Sequence, residues 1–313
     1  TVRIKPAITL LIGRQQKAYI TNNNIGSVII NLINLIKHVT EKQKNALILL
    51  IDFKKAFDTI SHSFLHNTLY TLGFGRDIIS WVKLFLNNRN AQILMGGNLT
   101  NDILLEQGVP QGDVISPYLF ILMVEMLLIK INYSKNLKGI TFATHESRSE
   151  TFADDTTIFL ERGEENLRNA TKYIQNFYTI SGLACNIEKT NIIPIGLNTN
   201  TNDTICPELK MEWTHSFTIL GFEVDNKLAK LTTNFQKIKD KIKAIISKWK
   251  PYHLSLKGRI TIAKTKLCSQ LTYIATVLDT NDTIINDIQT QINHFINNTK
   301  PTGRNWINND ILY

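Results

Sequence analysis

Apolar residues along this chain fall into two kinds of run. The first is short and continuous: ALILLI at residues 46–51 is what a strand buried on both faces requires, and it stops at Asp52. A carboxylate therefore closes that strand. The second kind is periodic. SHSFLHNTLYTLG offers Ser61 as an N-cap and Gly73 as a stop, and RDIISWVKLFLNN supplies a further helix with Asp77 near its start. AQILMGGNLTNDILL reads as a hairpin closed by Gly96 and Gly97, leading into the glycine-rich loop QGVPQGD. A long helix opens at Ser116 with Pro117 at its first position. Its stretch YLFILMVEMLLIKI is short of the ~20 residues that a membrane span needs and carries Glu125, so it predicts a core helix.

Two strand-like runs follow, GITFATH from Gly139 and TFADDTTIFL from Thr151, with turn signals between them. The aspartate pair Asp154 and Asp155 thus falls at a second hairpin. A helix with Leu167, Ala170, Ile174, Phe177 and Tyr178 on one face ends at Gly182. After FTILGFEV, one more short strand, the pattern becomes purely helical. Phe235, Ile238, Ile242, Ile245, Ile246 and Trp249 share a face, while Lys237, Lys241 and Lys248 point elsewhere. The change of pattern divides the chain near residue 230.

Composition narrows the partners. The 313 residues are 43% hydrophobic, enough for one large domain or two ordinary ones. A formal net charge of +9 suggests an anionic partner, nucleic acid or a membrane surface. Residues 231–270 hold nine lysines and Arg259 against the single acid Asp240, so this segment accounts for the whole excess. Solvated helix faces are the ordinary explanation of such a run, yet its single sign favours phosphate. Cys185, Cys206 and Cys268 are too few and scattered for a disulfide framework or a zinc site, which points to a reducing, intracellular compartment, nuclear or cytoplasmic. The chain lacks a signal peptide and an initial Met, and reads as a fragment of something longer.

The adjacent carboxylates of Asp154 and Asp155 need an explanation, because a buried, unpaired carboxylate costs several kcal/mol. A tight turn is one, since Asp favours turns. The other brings in Asp52: if the two strands are neighbours, three acids converge and repel unless divalent cations hold them. Two such ions can stabilise the attacking and leaving oxygens of a phosphoryl displacement.

Five segments in order, LLIDFKKAFDTI, EQGVPQGDVISPYLF, FADD, SGLACNIEKTN and ILGFEV, resemble the A to E motifs of reverse transcriptases, specifically those of non-LTR (LINE-type) retrotransposons. The likeness runs from about Gln16, where QKAYITNNNIG is similar to a fingers segment, to WKPYHLSLKGRITIAK, similar to a thumb. It implies an α+β right-hand polymerase: partial fingers and an antiparallel palm sheet over residues 1–230, and a basic helical thumb over 231–313. The implied activity is RNA-directed DNA synthesis with two Mg²⁺ ions. Its partners would be an RNA template, a DNA primer or RNA–DNA hybrid, and dNTPs, in a ribonucleoprotein with its own transcript and without a membrane.

Residue by residue, the resemblance makes Asp52, Asp154 and Asp155 the metal ligands, joined by the carbonyl of Phe53. Phe57 matches the aromatic that excludes a 2′-hydroxyl, although a core aromatic would look the same in sequence. Gln111 and Gly112 match the loop that approaches nucleotide and template; a plain turn would explain the glycine alone. Lys189 matches the general acid for departing pyrophosphate, with a surface lysine as the alternative. Leu220 and Gly221 match the primer grip, where a strand glycine marks close backbone approach. Lys241, Lys248, Lys257, Arg259 and Lys264 would track phosphates of the duplex.

The chain departs from the pattern at Asn23, where many relatives carry arginine. The family's first fingers motifs, endonuclease and zinc-knuckle regions are not in it, so target cleavage is not assigned. A group II intron-like reverse transcriptase and a decayed element that binds nucleic acid without catalysis are the competing readings.

Overall fold

A computed structural model describes residues 4–142, 145–186, 189–199, 211–279 and 282–298. Cys206 and parts of GITFATH and SGLACNIEKTN lie outside them. The chain forms two compact units that divide between Leu220 and Gly221.

In the first unit, α1 (Ile4–Leu11) and α2 (Ile25–Glu41) precede β1 (Asn45–Ile51), α3 (His62–Thr71) and α4 (Arg76–Leu86). A ribbon follows: β2 (Asn90–Ala91) pairs with β5 (Ile103–Leu104), and inside it β3 (Leu94–Met95) pairs with β4 (Asn98–Leu99). Gly96 and Gly97 close the ribbon with φ of 57° and 88°, both left-handed, as a two-residue hairpin loop demands. Next come α5 (Ser116–Asn132), β6 (Ile140–Phe142), β7 (His145–Ser147), β8 (Ser149–Phe152), β9 (Asp155–Glu161) and α6 (Glu164–Ser181). The unit ends with β10 (Asn191–Gly196), β11 (Glu212–Trp213) and β12 (Ser216–Ile219).

Five strands form one sheet in the order β11, β10, β1, β9, β8. All pairs are antiparallel except β10 with β11. β1 sits at the centre, which is why its sequence is apolar from Ala46 to Ile51. Leu47, Leu49 and Ile51 join the core formed with α3, α5 and α6, whereas α2 packs on β1, β8 and β10. α5 buries nearly its whole circumference, from Leu119 to Ile131. Among the described residues no helix is long and apolar enough to cross a membrane. Pro194 sits inside β10 without an N–H to give; β11 reaches only Asn191 and Ile192, so the ladder loses little there.

The second unit opens with β13 (Phe222–Asp225) and continues with α7 (Thr233–Trp249), α8 (Leu256–Ile262), α9 (Ser269–Ala275) and α10 (Asp282–Asn297). A π-helical stretch, Ala263–Cys268, joins α8 to α9. Ile242, Ala263, Leu267, Ile288, Ile292, Phe295 and Ile296 form its core, with Ile238, Ile245, Ile246 and Trp249 against them. FTILGFEV is not one strand but two, because Leu220 and Gly221 take φ of 47° and 83° and turn the chain between β12 and β13.

Candidate active site

Register builds the site. Ile51 of β1 lies opposite Thr156 of β9, so the next residue along β1, Asp52, is carried beside Asp155. On the other side, Phe152 pairs with Asp155, leaving Ala153 and Asp154 as a two-residue loop. Ala153 has φ of 56° while Asp154 does not share the left-handed region, the pattern of a type II′ turn, in which glycine usually takes the first position. The chain thus places an alanine where the backbone is strained, next to its acid pair.

The electrostatics show that the acids feel each other. The Asp155 carboxyl is pushed up first by burial of its surroundings, then by Asp154 and Asp52. Burial also raises the Tyr19 phenol, and the Asp154 charge adds to that, which places Tyr19 beside the acid turn. Cys185 is raised by burial and, more weakly, by Asp52, against a hydrogen bond with Thr190. Among the described residues no three His, Cys, Asp or Glu side chains are gathered so as to hold an ion unaided. The carboxylates converge without forming a closed cage.

Beyond Asp52 the strand is extended by one rung. The Asn186 amide donates to the Asp52 carbonyl at 2.7 Å and the Lys54 amide to the Ala184 carbonyl at 2.7 Å. Phe53, bridged to Cys185 between them, therefore turns its own carbonyl to the opposite edge, the side of β9.

The loop QGVPQGD docks on the turn after Asp52. Gly108 donates to the Ile60 carbonyl at 2.8 Å and Val109 to the Phe57 carbonyl at 2.7 Å. At Gly108, with φ of 81°, a Cβ would come within 2.6 Å of the Asp58 carbonyl oxygen. Gly108 is the glycine of close backbone approach. Gly112 also has a left-handed φ, 87°, but faces open space. Gln111 is exposed and donates to Asp58 at 3.2 Å. The Phe57 ring is half-buried and stacks on Phe120, centroids 4.9 Å apart and planes 24° from parallel. Packing alone would account for that contact.

Lys189 is exposed in a turn whose amide reaches back to the Asn186 carbonyl at 3.0 Å, so it sits three residues from the rung on Asp52. Within the protein a Cβ at Gly221 would meet only Tyr273, at 4.0 Å, and the turn gives this glycine a left-handed φ of 83°. In the second unit Lys241, Lys248, Lys257 and Lys264 are exposed, and none joins an ion pair among the described residues, whereas Lys237 pairs with Glu223 and Lys239 with Asp287. Arg259 differs from these. Its Nε donates to the Ile296 carbonyl at 2.6 Å and Nη1 to the Leu254 carbonyl, so the guanidinium is first a staple between α8 and α10.

Two further residues lie near the acids without any local sequence signal to mark them. Gln16 is fully buried, and its carboxamide oxygen accepts from Ala153 at 3.1 Å and from Ala18 at 2.9 Å. Tyr19 follows it. Asn23, where an arginine was expected, donates to the Gln16 carbonyl at 3.3 Å.

An antiparallel sheet with acids at neighbouring strand ends, a glycine loop docked beside them and helices behind defines a right-hand polymerase fold. Solved structures agree at the level of fold: apo telomerase from Candida tropicalis superposes with a TM-score of 0.53 at 12% identity, covering 95% of this chain and 54% of that one. Telomerase from Candida albicans gives 0.51 at 12% identity, over 94% and 50%. The chain belongs to the reverse transcriptase (RNA-dependent DNA polymerase) family, whose profile matches residues 2–224. A Pol polyprotein of the type-1 retrotransposable element R2 from Popillia japonica is 27% identical over 62% of this chain and 27% of its own length. The 149 kDa protein of transposon TX1 from Xenopus laevis is 22% identical over 98% of this chain and 23% of its length. These similarities are to non-LTR elements, as the sequence motifs suggest. The chain spans about a quarter of the length of these relatives.

Proposed function

We propose that this chain carries out RNA-directed DNA synthesis, adding dNMP units to a primer 3′-OH. The observation that carries the reading is the register that sets Asp52 beside Asp155, with Asp154 adjacent, so that burial first and then the Asp154 and Asp52 charges raise the Asp155 carboxyl. The donor set suits Mg²⁺, which keeps several waters and takes one or two carboxylates plus substrate phosphates, so a closed protein cage is not required. Asp52, Asp154, Asp155 and the Phe53 carbonyl would hold two ions. When bound, such a pair activates the attacking oxygen and neutralises the leaving one.

The chain's own groups do the rest. Phe57 lies under the position of the incoming sugar and rejects a 2′-hydroxyl by contact. Gln111 and the exposed backbone of Gly112 approach the nascent base pair. Lys189, on a turn anchored to the Asp52 rung, gives a proton to pyrophosphate. Leu220 and Gly221 present a tight turn to the primer end. The unpaired lysines 241, 248, 257 and 264 bind phosphates of the hybrid, while Arg259 supports the helices that carry them.

The experiment is primer extension on a homopolymer RNA template with Mg²⁺ and dNTPs. Extension that disappears in the Asp154→Asn variant supports the reading. A wild-type protein that binds hybrid tightly and extends nothing would leave a nucleic-acid-binding product without catalysis.

A further inference from the structure

Gln16 is a carboxamide with no access to solvent, and the hydrogen bonds it makes are unusual for a core residue. Its single oxygen takes two backbone N–H groups, from Ala153 and from Ala18. The Ala153 amide belongs to the first central residue of the acidic loop and finds no acceptor within a two-residue turn. Meanwhile the Gln16 amide nitrogen is buried with no hydrogen-bond partner. Leaving a buried donor unmet costs about 1–3 kcal/mol, which this side chain bears while it meets two buried backbone amides. An apolar side chain of the same length would remove that unmet donor but leave the buried Ala153 and Ala18 amides without an acceptor.

The backbone around Gln16 reinforces that grip. β8 is the edge of the sheet, and residues 15–17 pair with it: Thr151 donates to the Gln15 carbonyl at 2.9 Å and Lys17 to the Thr151 carbonyl at 2.8 Å. Asn23 holds the Gln16 carbonyl from the far side. The side chain therefore projects from a backbone locked to the same hairpin that it caps. Ala153, 8% exposed, keeps φ of 56° at a position that disfavours a Cβ.

We propose that Gln16 is a positioning residue: its carboxamide oxygen holds Ala153 in the left-handed conformation and so fixes how Asp154 and Asp155 present their carboxylates. The inference rests on the catalytic reading above for its consequence in activity, but the clamp itself is a property of the free protein. It predicts that losing Gln16 lowers turnover beyond what the accompanying loss of stability explains, with substrate binding little changed. It also predicts that glycine at 153, which needs no clamp, repairs the loss.

The test uses Gln16→Met, Ala153→Gly and the double variant. Gln16→Met deletes the acceptor and the unmet donor together at nearly constant volume. For Gln16→Met, kcat for primer extension should fall by about 10–100-fold, the scale of a small misplacement of reacting groups, with KM for dNTP and affinity for hybrid within about twofold of wild type. The melting temperature should fall modestly, because the Ala153 and Ala18 amides lose their acceptor, and kcat is compared well below it. Adding Ala153→Gly should restore most of kcat. Independently of activity, hydrogen exchange at the Ala153 amide should quicken at least about tenfold in Gln16→Met. Unchanged exchange, or a loss of kcat that tracks a lowered melting temperature and is not repaired by glycine, overturns the proposal. A wild-type protein without extension would instead remove the catalytic reading, and the exchange measurement would still decide the clamp.

Discussion

The acidic hairpin of β8 and β9 and the basic helix α7 are both charged, yet they are specified in opposite ways. In the hairpin, function depends on which residue stands opposite which: Asp52 reaches Asp155 only because Ile51 pairs with Thr156. A slip of one residue would turn every side chain to the other face. In α7, function depends only on periodicity. Ile242 faces the core while Lys241 and Lys248 stay outside, and any neighbouring exposed position could carry the same charge. On the proposed reading, catalysis would be intolerant of small displacement, whereas phosphate binding would be spread over interchangeable sites.

The largest effect should come from the hairpin. Asp154→Asn should lower extension by roughly a thousandfold or more, while hybrid affinity stays nearly unchanged. Parallel loss of binding in a filter or anisotropy assay would mean that the two regions are not separable as described.

The helical unit should respond by degrees. Replacing Lys241, Lys248 and Lys264 together by Gln should reduce the slope of log K against log salt by up to about 3, since each neutralised phosphate contributes ~0.9 for B-DNA. A single replacement should do about a third of that. A slope that does not move would show that these faces are merely solvated.

Phe57 tests whether register-bound precision extends to the sugar. Phe57→Val should lower the preference for dGTP over GTP, measured as the ratio of kcat/KM values on one template, by about tenfold. If the ring only packs on Phe120, the cavity left behind should lower the melting temperature and both activities alike.

A further effect, on stability rather than activity, concerns Glu150, buried in β8 beside Asn31, whose carboxyl burial pushes up to about 7 from 4.5. The folded state holds this proton more tightly than the unfolded chain does. Its contribution is therefore full below pH 4.5 and declines as pH rises towards 7. Glu150→Gln should stabilise the protein at pH 8 by up to about 3 kcal/mol and make little difference at pH 4. Thermal melts across that range check the sign. An equal shift at both pH values would remove the buried charge as the cause.

Much of this protein was legible in its sequence because the relevant signals are local. The apolar run at 46–51, the cap at Ser61, the Gly96–Gly97 turn, the mostly apolar α5 and the lysine face of α7 each follow from neighbours within a few residues. The acid pair at a hairpin tip was readable too, because strand runs flank it. What local pattern could not supply was anything that depends on partners far apart in the chain. The turn inside FTILGFEV looked like continuous strand, since only the left-handed backbone at Leu220 and Gly221 breaks it. The close approach of Gly108 to the backbone was not legible, because Asp58, fifty residues earlier, is what it meets. Arg259 is tied to the Ile296 carbonyl of another helix, a bond invisible in a count of charges. Gln16 reaches Ala153 across 137 positions, and no periodicity marks it. Sequence determined the elements and the kinds of charge they carry, since helix and strand preferences act within a turn or two. Tertiary structure alone decided which carboxylates meet and what holds them, since that is set by sheet register and buried hydrogen bonds between distant segments.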